Sequence, residues 1–256
     1  MSIIQMLLAS LVANGIFFII ALLLKTDVFT DITYSMTFVI LTLFLYLTSG
    51  KTDILQLMTA ICVVLWGFRL GGYLLWRIIH IKVDHRFDDK RDSFIRFGSF
   101  WLLQAVAVWA VMLSVYGIIN RPGMDTIPWY FFAGIPFALL GLLIETVADL
   151  QKYKFKSSPE GKGAFMRTGI WKYSRHPNYF GDMLFWWSIS FPGIFFFKGF
   201  EFLYFLGPLF ISLLLRFVSG VPLLEKSSQA KWGDDPEFQE YQKTTSLVIP
   251  WFKKKA

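Results

Sequence analysis

The chain has 256 residues, 55% of them hydrophobic and 19% aromatic, with only 17% charged and a mean hydropathy of +0.52. A soluble globular domain carries about 25% charged residues, so the composition excludes that class, and the net charge of +7 is assigned to topology and lipid contact, with no nucleic-acid partner expected. A single cysteine, Cys62, excludes a disulfide framework, and three histidines (His80, His85 and His176) are too few for a membrane di-iron oxygenase, with no metal-ligand spacing present.

The first apolar run covers about 3–24. It has no preceding positive residue and is too long for a signal core, so it reads as a retained transmembrane helix. Further apolar runs follow at about 32–49, 54–76, 98–119, 128–148, 178–197 and 200–218. Each approaches the roughly 20 residues that cross a hydrocarbon core as a helix. The second is semi-polar, with Thr33, Tyr34, Ser35, Thr37 and Thr42. The sixth and seventh have only a short break at 197–199 and read as a tight hairpin. The expected fold is an all-α polytopic transmembrane bundle of about seven spans with a C-terminal tail.

Charge orients the bundle. With seven spans, one face holds 21 of the 25 Lys and Arg residues. The positive-inside rule then places the C-terminus in the cytoplasm and the N-terminus outside, in the plasma (inner) membrane if the source is bacterial. Topology and attraction to anionic lipid account for most of these charges.

Four polar sets on the expected cytoplasmic side need more than that account. The first is Gly169-Ile-Trp-Lys-Tyr-Ser-Arg-His-Pro-Asn-Tyr-Phe-Gly-Asp182. Pro177 suits the first turn of a helix, and His176 before it is pushed to extended geometry. A loop entering span six is therefore expected. A helix N-terminus attracts anions, and Arg175 adds a planar cation suited to phosphate or carboxylate. Asn178 and Asp182 share a face four residues apart, and Tyr179 lies between them. A charged Asp in lipid costs about 2.5–3.5 kcal/mol on insertion scales, so Asp182 should face a cavity or polar ligand; the alternative is an interfacial cap without a ligand.

The second set is Glu145, Asp149, Lys152 and Lys156. These share one stripe if the helix of span five continues; they read either as a site or as a polar helix end with favourable pairs. The third is Arg69, Tyr73 and Arg77, followed by Asp84 and Arg86. Arg69 lies inside the apolar run and reads as either a pocket cation or a snorkelling side chain. The fourth is the tail, with Glu225, Lys231 and regularly spaced Trp232, Phe238, Tyr241 and Trp251. Its aromatic spacing indicates interfacial packing rather than disorder, and the Lys253–Lys255 run reads as a lipid anchor.

Arg175-His-Pro-Asn-Tyr-Phe-Gly-Asp182, with Glu145-x3-Asp149-x-Gln-Lys-x2-Phe-Lys156 upstream, resembles the C-terminal domain of the steroid 5-alpha-reductase superfamily. The resemblance is closest to its bacterial DUF1295 branch. The tail segments Gly220-Val-Pro-Leu-Leu-Glu-Lys226 and Trp232-Gly-Asp-x-Pro-Glu-x-Gln-x-Tyr241 fit as well, and Trp66-Gly-Phe-Arg-Leu-Gly-Gly72 fits more weakly. Lys156 stands where related sterol reductases carry an arginine. The resemblance implies a division into N-terminal membrane helices on the substrate side (1–144) and a cofactor-binding region (145–256). It implies NADPH bound from the cytosol, with Asp149, Lys152, Lys156, Arg175, His176, Asn178, Tyr179, Asp182, Glu225 and Tyr241 as contacts. The implied reaction is hydride addition to a conjugated C=C bond of a lipophilic, steroid-like or other lipid substrate from the bilayer.

The steroid 5-alpha-reductases polarise the substrate carbonyl with a Glu and a Tyr of the N-terminal half. Spans two and three here contain Tyr34, Tyr46 and Tyr73 but no Glu, which leaves the catalytic acid unassigned between candidates such as Tyr73 and Tyr179. Isoprenylcysteine carboxyl methyltransferases and related lipid methyltransferases share the Arg-His-Pro-x-Tyr pattern and bind S-adenosylmethionine. The Lys152/Lys156 stripe separates the two readings, since a phosphate-bearing cofactor uses those cations and a net-positive sulfonium does not. A non-enzymatic helical scaffold is the third reading.

Overall fold

The computed structural model describes residues 1–24, 26, 28–50, 52–81 and 93–252. Lys25, Lys51, Asp84, His85, Arg86 and Lys253–Lys255 therefore lie outside the described residues. The protein is all-helical, with no strand among the described residues. Six helical stretches are long and apolar enough to cross a membrane: Ile3–Leu24, Val28–Thr48, Ile54–His80, Phe94–Asn120, Trp129–Ser157 and Gly199–Trp232. The polytopic helical bundle expected from hydropathy is the fold observed.

The chain divides into two compact units. The first comprises 1–135 and 189–207, and the second 136–188 and 208–256. The boundary expected between 144 and 145 falls inside a helix, so the compact units follow tertiary packing rather than that position.

In the first unit, α1 (Ile3–Leu24), α2 (Val28–Thr48), α3 (Ile54–Ile81), α4 (Phe94–Val111) and α5 (Leu113–Asn120) pack side by side. Lipid offers no hydrophobic drive for helices to associate, so small residues and interhelical hydrogen bonds do it. The buried stripe of α1 is Met6, Ser10, Asn14 and Ala21. Ser10 Oγ donates to the Ala105 carbonyl at 2.8 Å, and Gln104 Nε2 donates to Asn14 Oδ1 at 2.7 Å and to the Thr30 carbonyl at 3.2 Å. The semi-polar second span is a continuous helix because several of its hydroxyls bond within it: Thr37 Oγ1 donates to the Thr33 carbonyl at 2.7 Å and Ser35 Oγ to the Asp31 carbonyl at 3.1 Å. It meets α3 across Gly67 and Gly71, where an added Cβ would lie 2.5 Å from Val39 Cγ2 and 2.4 Å from Ser35 Oγ. The Trp66–Gly72 segment thus has a packing role.

At the other end of this unit, Arg121 pairs with Asp53 at 2.8 Å, both nearly buried, tying two interhelical turns together. Arg69 stacks over the Tyr73 ring at 5.7 Å, and Arg77 pairs with Asp31 at 3.7 Å.

The second unit contains most of α6 (Gly134–Ser157) and α7 (Pro177–Ser190), with α10 (Val221–Trp232) and α11 (Pro236–Thr244). The span expected at 178–197 is not one long helix. α7 has 14 residues, or about 21 Å at 1.5 Å per residue, short of the ~30 Å hydrocarbon core. Pro192 stops it, since proline cannot continue the backbone ladder, and a one-turn helix, α8 (Gly193–Phe196), follows. The chain then returns through a 3₁₀ stretch, α9 (Leu206–Leu213) and a π-helical turn at Leu214–Val218. Trp187 Nε1 donates to Ser212 Oγ at 3.0 Å, so the outgoing and returning segments lie against each other, consistent with the expected hairpin.

α6 and α7 approach backbone to backbone at Gly141 and Gly181. A Cβ on Gly181 would lie 2.6 Å from the Gly141 carbonyl oxygen and 2.7 Å from the Glu145 nitrogen. Neither atom can move without shifting a helix. Gly181→Val therefore destabilises the protein by about 2 kcal/mol or more through overpacking. Gly72→Ala, with nothing within 4 Å of its added carbon, leaves stability unchanged or slightly raised. Thermal unfolding of the two variants in the same detergent checks both outcomes.

Candidate functional site

The second unit carries the polar sets from α6, the loop after it, α7 and the tail. α6 continues through Ser157, so Glu145, Asp149, Lys152 and Lys156 do share a stripe. Beyond it, residues 158–176 fold as short turns rather than an open loop. Ser158 caps the first turn by accepting from the Gly161 nitrogen at 3.3 Å. Gly169 has φ +61, and a Cβ there would sit 2.2 Å from Gln151 Oε1, the same atom that accepts from the Ile170 nitrogen at 3.0 Å. Only glycine fits that left-handed, crowded turn. Trp171 is pinned to α6 by its Nε1 donating to the Ala148 carbonyl at 3.1 Å.

The tail clamps this segment from the other side. The Arg175 nitrogen donates to the Ser246 carbonyl at 2.8 Å, and Ser174 Oγ to the Val248 carbonyl at 2.6 Å. Tyr241 donates its hydroxyl to the Trp171 carbonyl at 2.7 Å. Trp232, Phe238 and Tyr241 pack on Phe165. Three of the four tail aromatics singled out in the sequence thus pack on the loop, whereas Trp251 is exposed.

Together these pieces enclose a cavity of about 110 Å³. Its charged lining is Lys152, Lys156, Arg175, Lys231 and Glu225, joined by His176, and its walls are aromatic. Lys152 Nζ lies 4.5 Å from the centre of the Trp171 ring. Glu225 reaches in from α10 and accepts from two consecutive residues: Arg175 Nη1 through one carboxylate oxygen, and His176 Nε2, 2.8 Å from the other. The His176 ring is buried and stacks on Tyr179 at 5.6 Å with an interplanar angle of 8°. Burial, reinforced by Lys152 and Arg175, holds the imidazole below its usual pKa even though Glu225 pulls the other way. Burial pushes the Tyr241 phenol up, so it stays protonated as a donor.

Six of the ten expected contacts meet at this cavity: Lys152, Lys156, Arg175, His176, Glu225 and Tyr241. The other four form a polar patch between α6 and α7. Asn178 Nδ2 donates to Asp149 Oδ1 at 3.2 Å, Trp186 Nε1 donates to Asp182 Oδ1 at 3.1 Å, and Tyr179 lies under the His176 ring. Glu145 is buried close by, its nitrogen against Gly181. Arg69, Tyr73 and Arg77 belong to the first unit and are not among the cavity-lining residues.

Sequence reasoning missed Lys231, Phe155, Phe165 and Trp171 as lining residues. Phe165 lies in a stretch without a motif, and no local signal marks it. Lys231 and Trp232 were visible as a basic–aromatic pair, but only the return of α10 onto the loop gives them a common target.

The depressed His176 pKa has a definite consequence for stability. The unfolded imidazole titrates near 6.5 and takes a proton before the folded one does. Stability is therefore full above about pH 6.5 and falls as the pH drops through that value toward the lowered one. The melting midpoint decreases between pH 7.5 and 5.5, and His176→Gln flattens that decrease. Parallel thermal scans of the two proteins at both pH values measure the difference.

A family model described as "Protein of unknown function (DUF1295)" matches residues 17–245. No curated protein and no solved structure matches the chain. The match covers most of both helical units, including every residue of the cavity, and the chain belongs to the DUF1295 family.

Proposed function

We propose that the protein is a membrane-embedded NADPH-dependent reductase that acts on a C=C bond of a lipophilic substrate taken from the bilayer. The observation that carries this reading is the convergence of Lys152, Lys156, Arg175 and Lys231 on one aromatic-walled cavity whose lining, among the described residues, holds a single carboxylate, Glu225. Two unit charges about 4 Å apart interact by roughly 4 kcal/mol at an effective dielectric constant near 20. An excess of cations over carboxylates therefore favours a ligand bearing several negative charges.

The residues fit the phosphate-bearing part of a dinucleotide. Arg175 presents a planar fork, Lys156 and Lys231 are exposed, and Trp171, Phe165 and Trp232 belong to the aromatic lining. The cavity is smaller than the ~300–1,000 Å³ typical of small-molecule sites. It takes one end of the cofactor, and the remainder lies outside it. When bound, NADPH supplies the hydride. The chain's part is to hold the phosphates, orient the cofactor and limit water. The exposed apolar surfaces of the long helices support a bilayer-dissolved substrate, and the charge distribution supports a cytoplasmic C-terminus; an N-terminus outside follows on counting the α7–α8 segment as the crossing that precedes Gly199–Trp232.

A second reading, S-adenosylmethionine-dependent methylation of a lipid, is favoured by one feature of the same cavity. Glu225 and the surrounding rings attract a cation. The four basic side chains oppose it, which places it second.

Calorimetric titration with NADPH and with S-adenosylmethionine, side by side in detergent, tests the assignment. NADPH binds in the micromolar range or tighter, and its affinity falls with added salt. Arg175→Ala weakens it by about tenfold or more, as loss of a charged hydrogen bond requires. Lys156→Ala, on an exposed side chain and safer for folding, weakens it less and reduces the salt dependence. Binding of S-adenosylmethionine alone reverses the order of the two readings, and binding of neither removes both.

A further inference from the structure

α10 turns one face to the cavity: Leu224, Glu225, Ser227, Ser228, Lys231 and Trp232. These positions recur at the helical period, so they form a single stripe. The stripe is chemically graded. Its first turn carries Glu225, which is engaged with Arg175 and His176. Its later turns carry two hydroxyls and an ammonium. Trp232 Nε1 donates to the Gly163 carbonyl at 2.7 Å, and the Trp232 ring packs on Phe165 and Phe238. The end of α10 is thereby pinned to the turns that follow α6. Lys231 and Lys156 then line the same cavity from two helices, and both side chains are exposed. Lys226 is also exposed but lies off the stripe.

Position along α6 decides which end of a dinucleotide the cavity takes. The apolar run ends near residue 148, and the lining residues of α6 are Lys152, Phe155 and Lys156. At 1.5 Å per residue, Lys156 lies about 12 Å beyond that run. A bilayer-dissolved substrate is reduced where it is dissolved, so the hydride-bearing ring must reach the apolar part of the helices. The cavity is then left to the opposite, adenosine end. Its aromatic wall suits a purine, whose flat faces stack on rings. Its lysines and serines suit the one group that distinguishes NADPH from NADH, the phosphate on the adenosine 2′-oxygen. A phosphomonoester carries about −1.5 to −2 charge at pH 7 and three strong acceptor oxygens. Two ammonium groups match that charge, and serine hydroxyls donate to the oxygens. A neutral 2′-hydroxyl draws far less from a pair of lysines.

We propose that the cavity binds the adenosine end of the dinucleotide, and that Lys231, with Lys156 and the hydroxyls of Ser227 and Ser228, recognises its 2′-phosphate and so selects NADPH over NADH. The inference rests on the nucleotide-binding reading above. It adds the end that is bound and the residues that discriminate. Lys231 is a specificity determinant, remote from the reacting atoms.

Calorimetric titration of the full-length protein in detergent tests this with NADPH, NADH, adenosine 2′,5′-bisphosphate and adenosine 5′-monophosphate. NADPH binds at least tenfold more tightly than NADH. The bisphosphate competes with NADPH, and the monophosphate, which lacks only the 2′-phosphate, competes at least tenfold less well. Lys231→Ala weakens NADPH about tenfold, as loss of a charged contact requires, and leaves NADH affinity unchanged. Lys231→Arg keeps the charge and retains most of the preference. Lys226→Ala, on the same helix, changes neither affinity. All three substitutions replace exposed side chains, and the melting midpoint stays where it is.

Equal binding of NADPH and NADH overturns the inference and leaves nucleotide binding intact. So does equal weakening of the two by Lys231→Ala. A loss from Lys226→Ala as large as that from Lys231→Ala also overturns it, since net charge then explains the effect. If neither dinucleotide binds, the inference and the cofactor assignment fall together.

Discussion

The two-pronged hold of Glu225 on Arg175 and His176 is the constraint from which the rest of the site follows. It joins residues about fifty positions apart in the chain. The chain must therefore leave along α7 and come back along the last apolar stretch to the end from which it started. The return brings α10 and α11 onto the turns that follow α6, and those elements close the cavity. Like-charged side chains such as Lys152 and Arg175 repel when gathered at one cavity unless a carboxylate lies among them. Glu225 fills that role while satisfying only part of the donor capacity of the arginine.

Polar chemistry in the second unit is stratified. Around α6 and α7 the carboxylates of Glu145, Asp149 and Asp182 occur with Asn178 and Trp186, on helices brought together by Gly141 and Gly181. Close helix packing in lipid is favourable for small residues, and it also gives buried carboxylates neighbours with donors. Beyond the helix ends, the lining becomes basic and aromatic. His176 and Tyr179 stand at the junction: one ring faces the cavity and the other is stacked beneath it on α7. An anionic group is favoured among the cations and disfavoured among the carboxylates.

The first unit shows a different use of polarity. Across helices, Ser10 donates to the Ala105 carbonyl, and Gln104 donates to Asn14 and to the Thr30 carbonyl. Thr37 and Ser35 bond within α2. These groups make α1, α2 and α4 cohere where apolar contact alone gives no preference over lipid. Arg121 and Asp53 do the same for two turns at the end of the bundle.

The stop of α7 ahead of Pro192 lay inside an apolar run read through 197, but apolar runs near the thickness of a bilayer were legible directly from residue order, because hydrophobicity acts locally. So was the stripe from Glu145 to Lys156, which needed only the helical period, and the Arg175–Asp182 motif, which stood out by its polar residues at the start of an apolar helix. Tertiary structure alone decided that Glu225 binds both Arg175 and His176. It also decided that Phe165, Lys231 and Trp171 share one wall, and that Asp149 and Asn178 pair with each other rather than line the cavity. Helix period and hydropathy describe a segment against its solvent. Which side chains meet depends on how segments far apart in the chain return to one another, and here that return is governed by backbone contact at two glycines and by one shared carboxylate.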